Sequence, residues 1–464
     1  MDDSNPYRSP TLPKAEVVDK LPQLAAVPKR ELTLFDSTCI IVGIIIGAGI
    51  YETAPTVAGC APQGWGMLAF WAVGGVLSLC GALCYAELAS AFPRQGGDYV
   101  YLSRAFGGWA GFLFGWGQLS IIRPGTIASM ALVFGRYANE LNLGQQPPAY
   151  WAAEAVAVLS VVNMIGVKFG KRTQNILTLA KAVGLLGVLA AALLGTSAQS
   201  ATAPTLNAGW NWELAMILVL FTYGGWNEMA YVAAEVHQPE RNILRSLVLG
   251  TVSVTCLYLL VNAAFLYALG HQGMAQSNAV AVDAVRGFWP GAAQRVISTL
   301  ICVSSLGAVN GMIFTGARIS YAMGAEHGPF RWLGHWSQRW GTPVAALQLQ
   351  GVLCLAVILV AQSFVGTLLY TTAVVWMFFL ATGVAVFVLR WREPDAPRPY
   401  RVSGHPVTTI LFGCSCLFLI YSALTFSPPD NPHVGLIGSS IAMGILFLGL
   451  PLYALSRWCA KQTG

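Results

Sequence analysis

Ile44-Ile45-Ile46-Gly47-Ala48-Gly49-Ile50-Tyr51 and Phe221-Thr222-Tyr223-Gly224-Gly225-Trp226-Asn227 are apolar stretches interrupted near their middles by small residues. Glycine in a helix interior costs roughly 1 kcal/mol against alanine, and unpaired backbone groups in hydrocarbon cost several times that. A break at membrane depth is therefore sustained where it lines a polar cavity, which makes each break a candidate ligand site. The simpler reading of Gly43 and Gly47 is a packing face of small residues four apart. Two breaks lying roughly 180 residues apart, the length of a repeat of about five helices, weigh against packing alone.

The rest of the chain belongs in a bilayer. Of its 464 residues 55% are hydrophobic and 10% charged, and the mean hydropathy is +0.60, too apolar for a soluble globule. Windows of about 20 apolar residues fall at 34–60, 66–92, 107–138, 149–166, 174–195, 211–236, 243–270, 293–323, 343–362, 366–390, 407–426 and 434–456. This predicts an all-α integral membrane protein of twelve spans with the first and sixth broken. Residues 1–33 carry Pro6, Pro10, Pro13, Pro22 and Pro28 among charges and lack the apolar core of a signal peptide, so a disordered tail is expected. With that tail inside, alternation through twelve spans puts 20 of the 26 lysines and arginines on the cytoplasmic side, so both termini are expected there. The net charge of +6 follows from this asymmetry and calls for no nucleic-acid partner. Nine of the ten cysteines sit in or beside apolar spans without metal-ligand spacing, and the six histidines lie near span ends or in loops. No metal or other cofactor is expected.

An unwound turn in mid-membrane offers N–H groups from the half-helix that begins there and C=O groups from the one that ends there. Those opposite partial charges suit a zwitterion of amino-acid size: a carboxylate on the N–H groups of Ala48, Gly49 and Ile50, an ammonium on the carbonyls of Ile45, Phe221 and Gly224. Lys181 lies in the apolar stretch 175–194 with no acid nearby in sequence, so it either snorkels to the interface or serves a function. Arg123 and Glu228 are expected to pair with protein groups. Glu87 and Glu235, near span ends, are expected to pair with loop cations.

Several separated motifs carry a resemblance to the amino acid-polyamine-organocation superfamily, and within it to the L-type transporters. Residues 44–51 resemble its GSGIF motif, with Ala48 for Ser and Tyr51 for Phe. Residues 82–107, ALCYAELASAFPRQGGDYVYLSRAFG, resemble its second span and first cytoplasmic loop. Ile121-Ile122-Arg123-Pro124 is similar to IIRP, residues 221–227 to FAYGGWN, Gly307-Ala308-Val309-Asn310-Gly311 to GSVNG, and Arg398-Pro399-Tyr400-Arg401-Val402 to RPIKV. The resemblance implies a LeuT-like fold of two inverted five-helix repeats, here about 34–195 and 211–390, followed by added helices over 407–456 and a tail at 457–464. It implies a sodium-independent exchanger of neutral L-amino acids in the plasma membrane (the inner membrane of a prokaryotic cell), working by alternating access. It places the substrate on Ile45, Gly47, Ala48, Gly49, Ile50, Phe221, Gly224, Gly225, Asn227 and Trp376, with Phe221 as an aromatic gate. It puts the Lys181 ammonium where sodium-coupled relatives hold an ion, near Gly43, Ile46 and Ser304.

Three departures bear on that picture. The light subunits of heteromeric transporters carry a cysteine between spans three and four, but residues 139–148 contain none, which argues against a disulfide-linked heavy chain. Ala48 lacks the hydroxyl of the usual Ser. Gln118 stands where several relatives have Glu, and Glu228 where an uncharged residue is usual, so substrate preference does not carry over. The competing readings are a proton-coupled symporter in which Lys181 titrates, and a non-transporting receptor or channel on the same fold. A channel would show rings of like charge, and an enzyme would need a cluster of histidines or carboxylates in the membrane; neither pattern is present in the sequence.

Overall fold

A computed structural model describes residues 29–141, 146–195, 209–360, 364–425 and 434–462. Most of the expected N-terminal tail, residues 1–28, lies outside these, as do 142–145 of the stretch without cysteine. Tertiary contacts are present just before the first predicted span: Leu32 is fully buried, and Thr33 closes a reciprocal capping box with Asp36. Helix α1 (Leu34–Ile45) follows from that cap and ends where the backbone turns at Ile46, φ −74° and ψ 80°. The chain resumes as two short turns, α2 (Gly49–Glu52) and α3 (Ala54–Gly59), and continues into α4 (Gly64–Ala91).

The remaining elements are α5 (Asp98–Phe106), α6 (Gly108–Gly117), α7 (Arg123–Glu140), α8 (Pro148–Ile165), α9 (Val167–Leu194), α10 (Trp212–Thr222), α11 (Pro239–Ala275), α12 (Val280–Val285), α13 (Ala293–Glu326), α14 (Val344–Val360), α15 (Phe364–Arg392), α16 (Val407–Thr425), α17 (Val434–Phe447) and α18 (Gly449–Gln462). The described residues contain no strand, only isolated bridges at Leu32–Val236 and Ser337–Thr342. Among them nine helices are long and apolar enough to cross a membrane, and Val344–Val360 is a shorter apolar helix. The third and sixth predicted spans are absent from the nine, and each is interrupted. In the third, a π turn at Gln118–Ile122 joins α6 to α7 just before Pro124, whose missing N–H breaks the regular ladder. In the sixth, α10 stops at Thr222, and a 3-10 segment, Trp226–Glu235, carries the chain on after Gly225 at φ +115°.

The two broken spans face each other in the centre of the bundle. A Cβ on Gly225 would lie 2.6 Å from Ile44 Cγ2, and one on Gly49 would lie 3.1 Å from the Thr222 side chain. The hydroxyls of Thr53 and Thr222 meet at 3.1 Å. At one end the spans are tied by backbone: Leu32 N–H donates to Glu235 O and His237 N–H to Leu32 O, both at 2.9 Å. The sequence located each break, and their apposition is the feature that builds a site.

Candidate functional site

Between the breaks lies a cavity of about 160 Å³. An engineered protein cavity of about 150 Å³ accommodates benzene, so this one suits a small organic solute. Eight of the ten residues expected to hold substrate line it: Ile45, Gly47, Gly49, Phe221, Gly224, Gly225, Asn227 and Trp376. Ala48 and Ile50 do not; both are fully buried in the apolar core, so only their backbone could serve a ligand. From the tenth span only Trp376 was expected, and the sequence did not place Phe114, Gln118, Arg123, Phe378 or Phe379 at the cavity. The Arg123-Pro124 pair inside an apolar window was the one available signal for the third.

The first break uses its backbone groups unevenly. Gly47 N–H donates to Ile45 O at 2.8 Å, and the Tyr258 hydroxyl donates to the same oxygen at 2.9 Å. A carbonyl has two lone pairs, so Ile45 O is already fully engaged, which differs from its expected role toward an ammonium. The N–H groups of Ala48, Gly49 and Ile50 take no part in the bonds that close the turn. They begin a new half-helix, where donors are left over for an acceptor. At the second break, Gly224 N–H donates to Phe221 O at 2.9 Å, and no backbone donor of the turn reaches Gly224 O. Asn227 is buried and its amide donates to the Tyr231 hydroxyl one turn on at 2.7 Å, which secures the segment that follows the break.

Lys181 does not snorkel. It is fully buried, and Nζ donates to the carbonyls of Gly43 at 2.8 Å and of Ile46 and Ser304 at 2.7 Å. An ammonium has three donors, and three carbonyls from two other spans take them. Space for it comes from Gly307, where a Cβ would fall 2.6 Å from Nζ. Gly43 has a packing role as well: a Cβ there would strike Gln174 and Thr178 of α9 at 2.1 and 2.2 Å. Among the described residues no group of three or more His, Cys, Asp or Glu could hold a metal.

Gln118 and Glu228, which together make the third departure noted in the sequence, meet on one guanidinium. Arg123 donates to Gln118 Oε1 at 3.0 Å and to Glu228 Oε2 at 2.9 Å, and Thr315 donates to the same carboxylate oxygen at 2.5 Å. Gln118, Arg123 and Glu228 form a buried polar floor of the cavity, and Thr315 lies buried behind it. Glu87 pairs with Arg390 and Arg398, the latter in a loop as expected. Glu235 instead meets Arg318 on α13, a cation within a span that the sequence did not connect to it.

The family model described as amino acid permease matches residues 32–450. The chain belongs to the amino acid permease family. This permease is 32% identical to the b(0,+)-type amino acid transporter 1 of Mus musculus, over 93% of its own length and 90% of the relative's. The Homo sapiens protein of that name is 31% identical over the same shares. The large neutral amino acids transporter small subunit 2 of Mus musculus is 32% identical, covering 92% of the permease and 81% of that chain. The family and these relatives are transporters, not enzymes. The last relative is by name a subunit, so the sequence argument against a heavy-chain partner is not borne out by the comparison.

Proposed function

We propose that this chain is a sodium-independent exchanger of neutral L-amino acids, working by alternating access as a twelve-span, LeuT-like protein of two inverted repeats in the plasma membrane, with both termini in the cytoplasm. The observation that carries the reading is the apposition of two broken spans around one small cavity, with free N–H groups on one side and carbonyls on the other. The substrate carboxylate lies at the N–H groups of Ala48, Gly49 and Ile50. Its ammonium lies at the carbonyl of Gly224, which no backbone donor of the turn reaches, beside that of Phe221, which accepts from Gly224 N–H; Ile45 O already has two donors. Phe221 closes over the ligand, and Trp376 forms part of the wall toward the side chain.

Lys181 supports the sodium-independent part of this reading. Its ammonium joins the first span to the eighth through Gly43, Ile46 and Ser304, a bridge that a bound cation would otherwise have to make. The test is uptake of a labelled amino-acid panel into proteoliposomes without sodium, with and without internal amino acid. Acceleration by internal substrate is expected. Absence of uptake for every amino acid would overturn the reading, and uptake that requires an inward proton gradient would replace it with symport.

A further inference from the structure

Five acidic side chains are buried among the described residues, and four have a cation beside them. Asp36 pairs with Lys171, Glu87 with Arg390 and Arg398, Glu228 with Arg123, and Glu235 with Arg318. Asp98 is the exception. It is 0% exposed, at the start of α5 in the connection between the second and third predicted spans, and it takes part in no ion pair. Its Oδ1 accepts from the hydroxyls of Tyr85 on α4 and Thr382 on α15, while its Oδ2 has no hydrogen-bond partner.

Among the described residues, the charged groups on the helices packed around this carboxyl have partners of their own. The titratable groups around it are phenols: Tyr85, Tyr101 on α5 itself, and Tyr231 on the 3-10 segment. Arg104, farther along α5, is held by Glu393. Arg390 on α15 is held by Glu87, and Arg392 donates to Ala105 O. On α13, Arg318 belongs to Glu235 and Glu326 accepts from Tyr99. Helix α6, packed on α5, carries no titratable side chain. A buried carboxylate without a counter-ion is costly enough that it takes up a proton instead.

We propose that Asp98 is a proton-binding site, protonated while α4, α5, α15 and the segment Trp226–Glu235 are closed around it and deprotonated when that junction opens. The proton comes from and returns to the water admitted at the junction, and no other group changes its covalent state. The site connects to the cavity through Tyr231, whose hydroxyl accepts from Asn227, a residue of the cavity wall. Protonation and substrate occupancy therefore act on the same segment, and each biases the other by the same factor.

Burial pushes the Asp98 carboxyl up to about 6, with the hydroxyls of Thr382 and Tyr85 acting in the opposite direction. The sign follows from that direction. The closed junction has its full stabilisation below the ordinary carboxylate range and loses it as pH rises through about 6, so alkaline conditions favour opening.

The test uses purified full-length protein in liposomes at equal pH on both sides, which removes any proton gradient. Infrared difference spectra between acid and neutral pH should contain a protonated-carboxyl band with a midpoint near 6 that Asp98→Asn abolishes. Amino-acid exchange should vary by up to about tenfold per pH unit, the limit for one coupled proton, and become flat in Asp98→Asn. An unchanged band and profile in that variant would overturn the proposal. If Asp98→Asn does not fold, Tyr85→Phe decides: losing a donor to the ionised form should move the midpoint upward, and an unmoved midpoint overturns the site. The infrared arm stands even if no amino acid is exchanged, which separates this proposal from the transport reading.

Discussion

At the first break the carbonyls of Gly43, Ile45 and Ile46 each accept from a distant side chain, Lys181 or Tyr258. At the second break the turn is held by shape. Gly225 adopts a backbone conformation suited to glycine and sits against Ile44, while the Trp226 ring packs among Tyr85, Phe379 and Phe412. Two interruptions of similar composition have thus been stabilised by opposite means, one by donors reaching in and the other by close packing. The difference teaches which end of a zwitterion each can receive. The first has committed its acceptors to the protein and keeps donors to offer, and the second keeps the carbonyl of Gly224.

The largest expected effect comes from removing the donors of the first break. Lys181→Ala strands three buried acceptors at about 1–3 kcal/mol each, so exchange should fall by about a hundredfold in counterflow assays. Lys181→Arg should not restore it, because Gly307 leaves clearance for an ammonium and not for a planar fork. Activity near the wild-type level in Lys181→Ala would show that the first break does not depend on its donors. Next, Gly225→Ala attacks the packing of the second break. Its strained φ and the 2.6 Å approach to Ile44 should cost about 1–3 kcal/mol, read as a lower thermal midpoint in detergent. In a double-mutant cycle with Ile44→Ala the two costs should be less than additive, whereas simple additivity would mean that the spans do not lean on each other there. The smallest effect is expected for Tyr258→Phe, which removes one of two donors to Ile45 O and should cost about 1 kcal/mol. A loss as deep as that of Lys181→Ala would move the centre of the first break from α9 to α11.

Much of this was readable from the chain. Small residues inside apolar windows marked both breaks, and the isolation of Lys181 marked it as unusual, because a bilayer leaves few ways to tolerate either. What could not be read was which groups meet. The lone pairs of Ile45 O are filled by its own turn and by Tyr258, which is 213 residues away. Ala48 and Ile50 turn their side chains into the core because neighbouring positions on a helical turn cannot all face one cavity. Asp98 sits in the connection between the second and third predicted spans, and burial makes it exceptional only because the cations nearby in the fold are bound elsewhere. Glu235 was expected to find a loop cation and found Arg318 inside a span, since helix packing brings together residues that hydropathy reads separately.

The Arg123–Glu228 pair has a consequence for how such a chain can change over time. An acid at the position of Gln118 would stand on the same span as the arginine. Here it comes from the broken sixth span, and the guanidinium touches both positions. The cavity floor therefore fixes the sum of charge and leaves open which helix supplies it. Gln118→Glu combined with Glu228→Gln should be tolerated where Glu228→Gln alone is not, so that the path between the two arrangements runs through a doubly acidic intermediate and avoids an unneutralised arginine. An acid on a broken span also makes the state of the second break part of what balances the charge of Arg123, a dependence that an acid on the third span would not create.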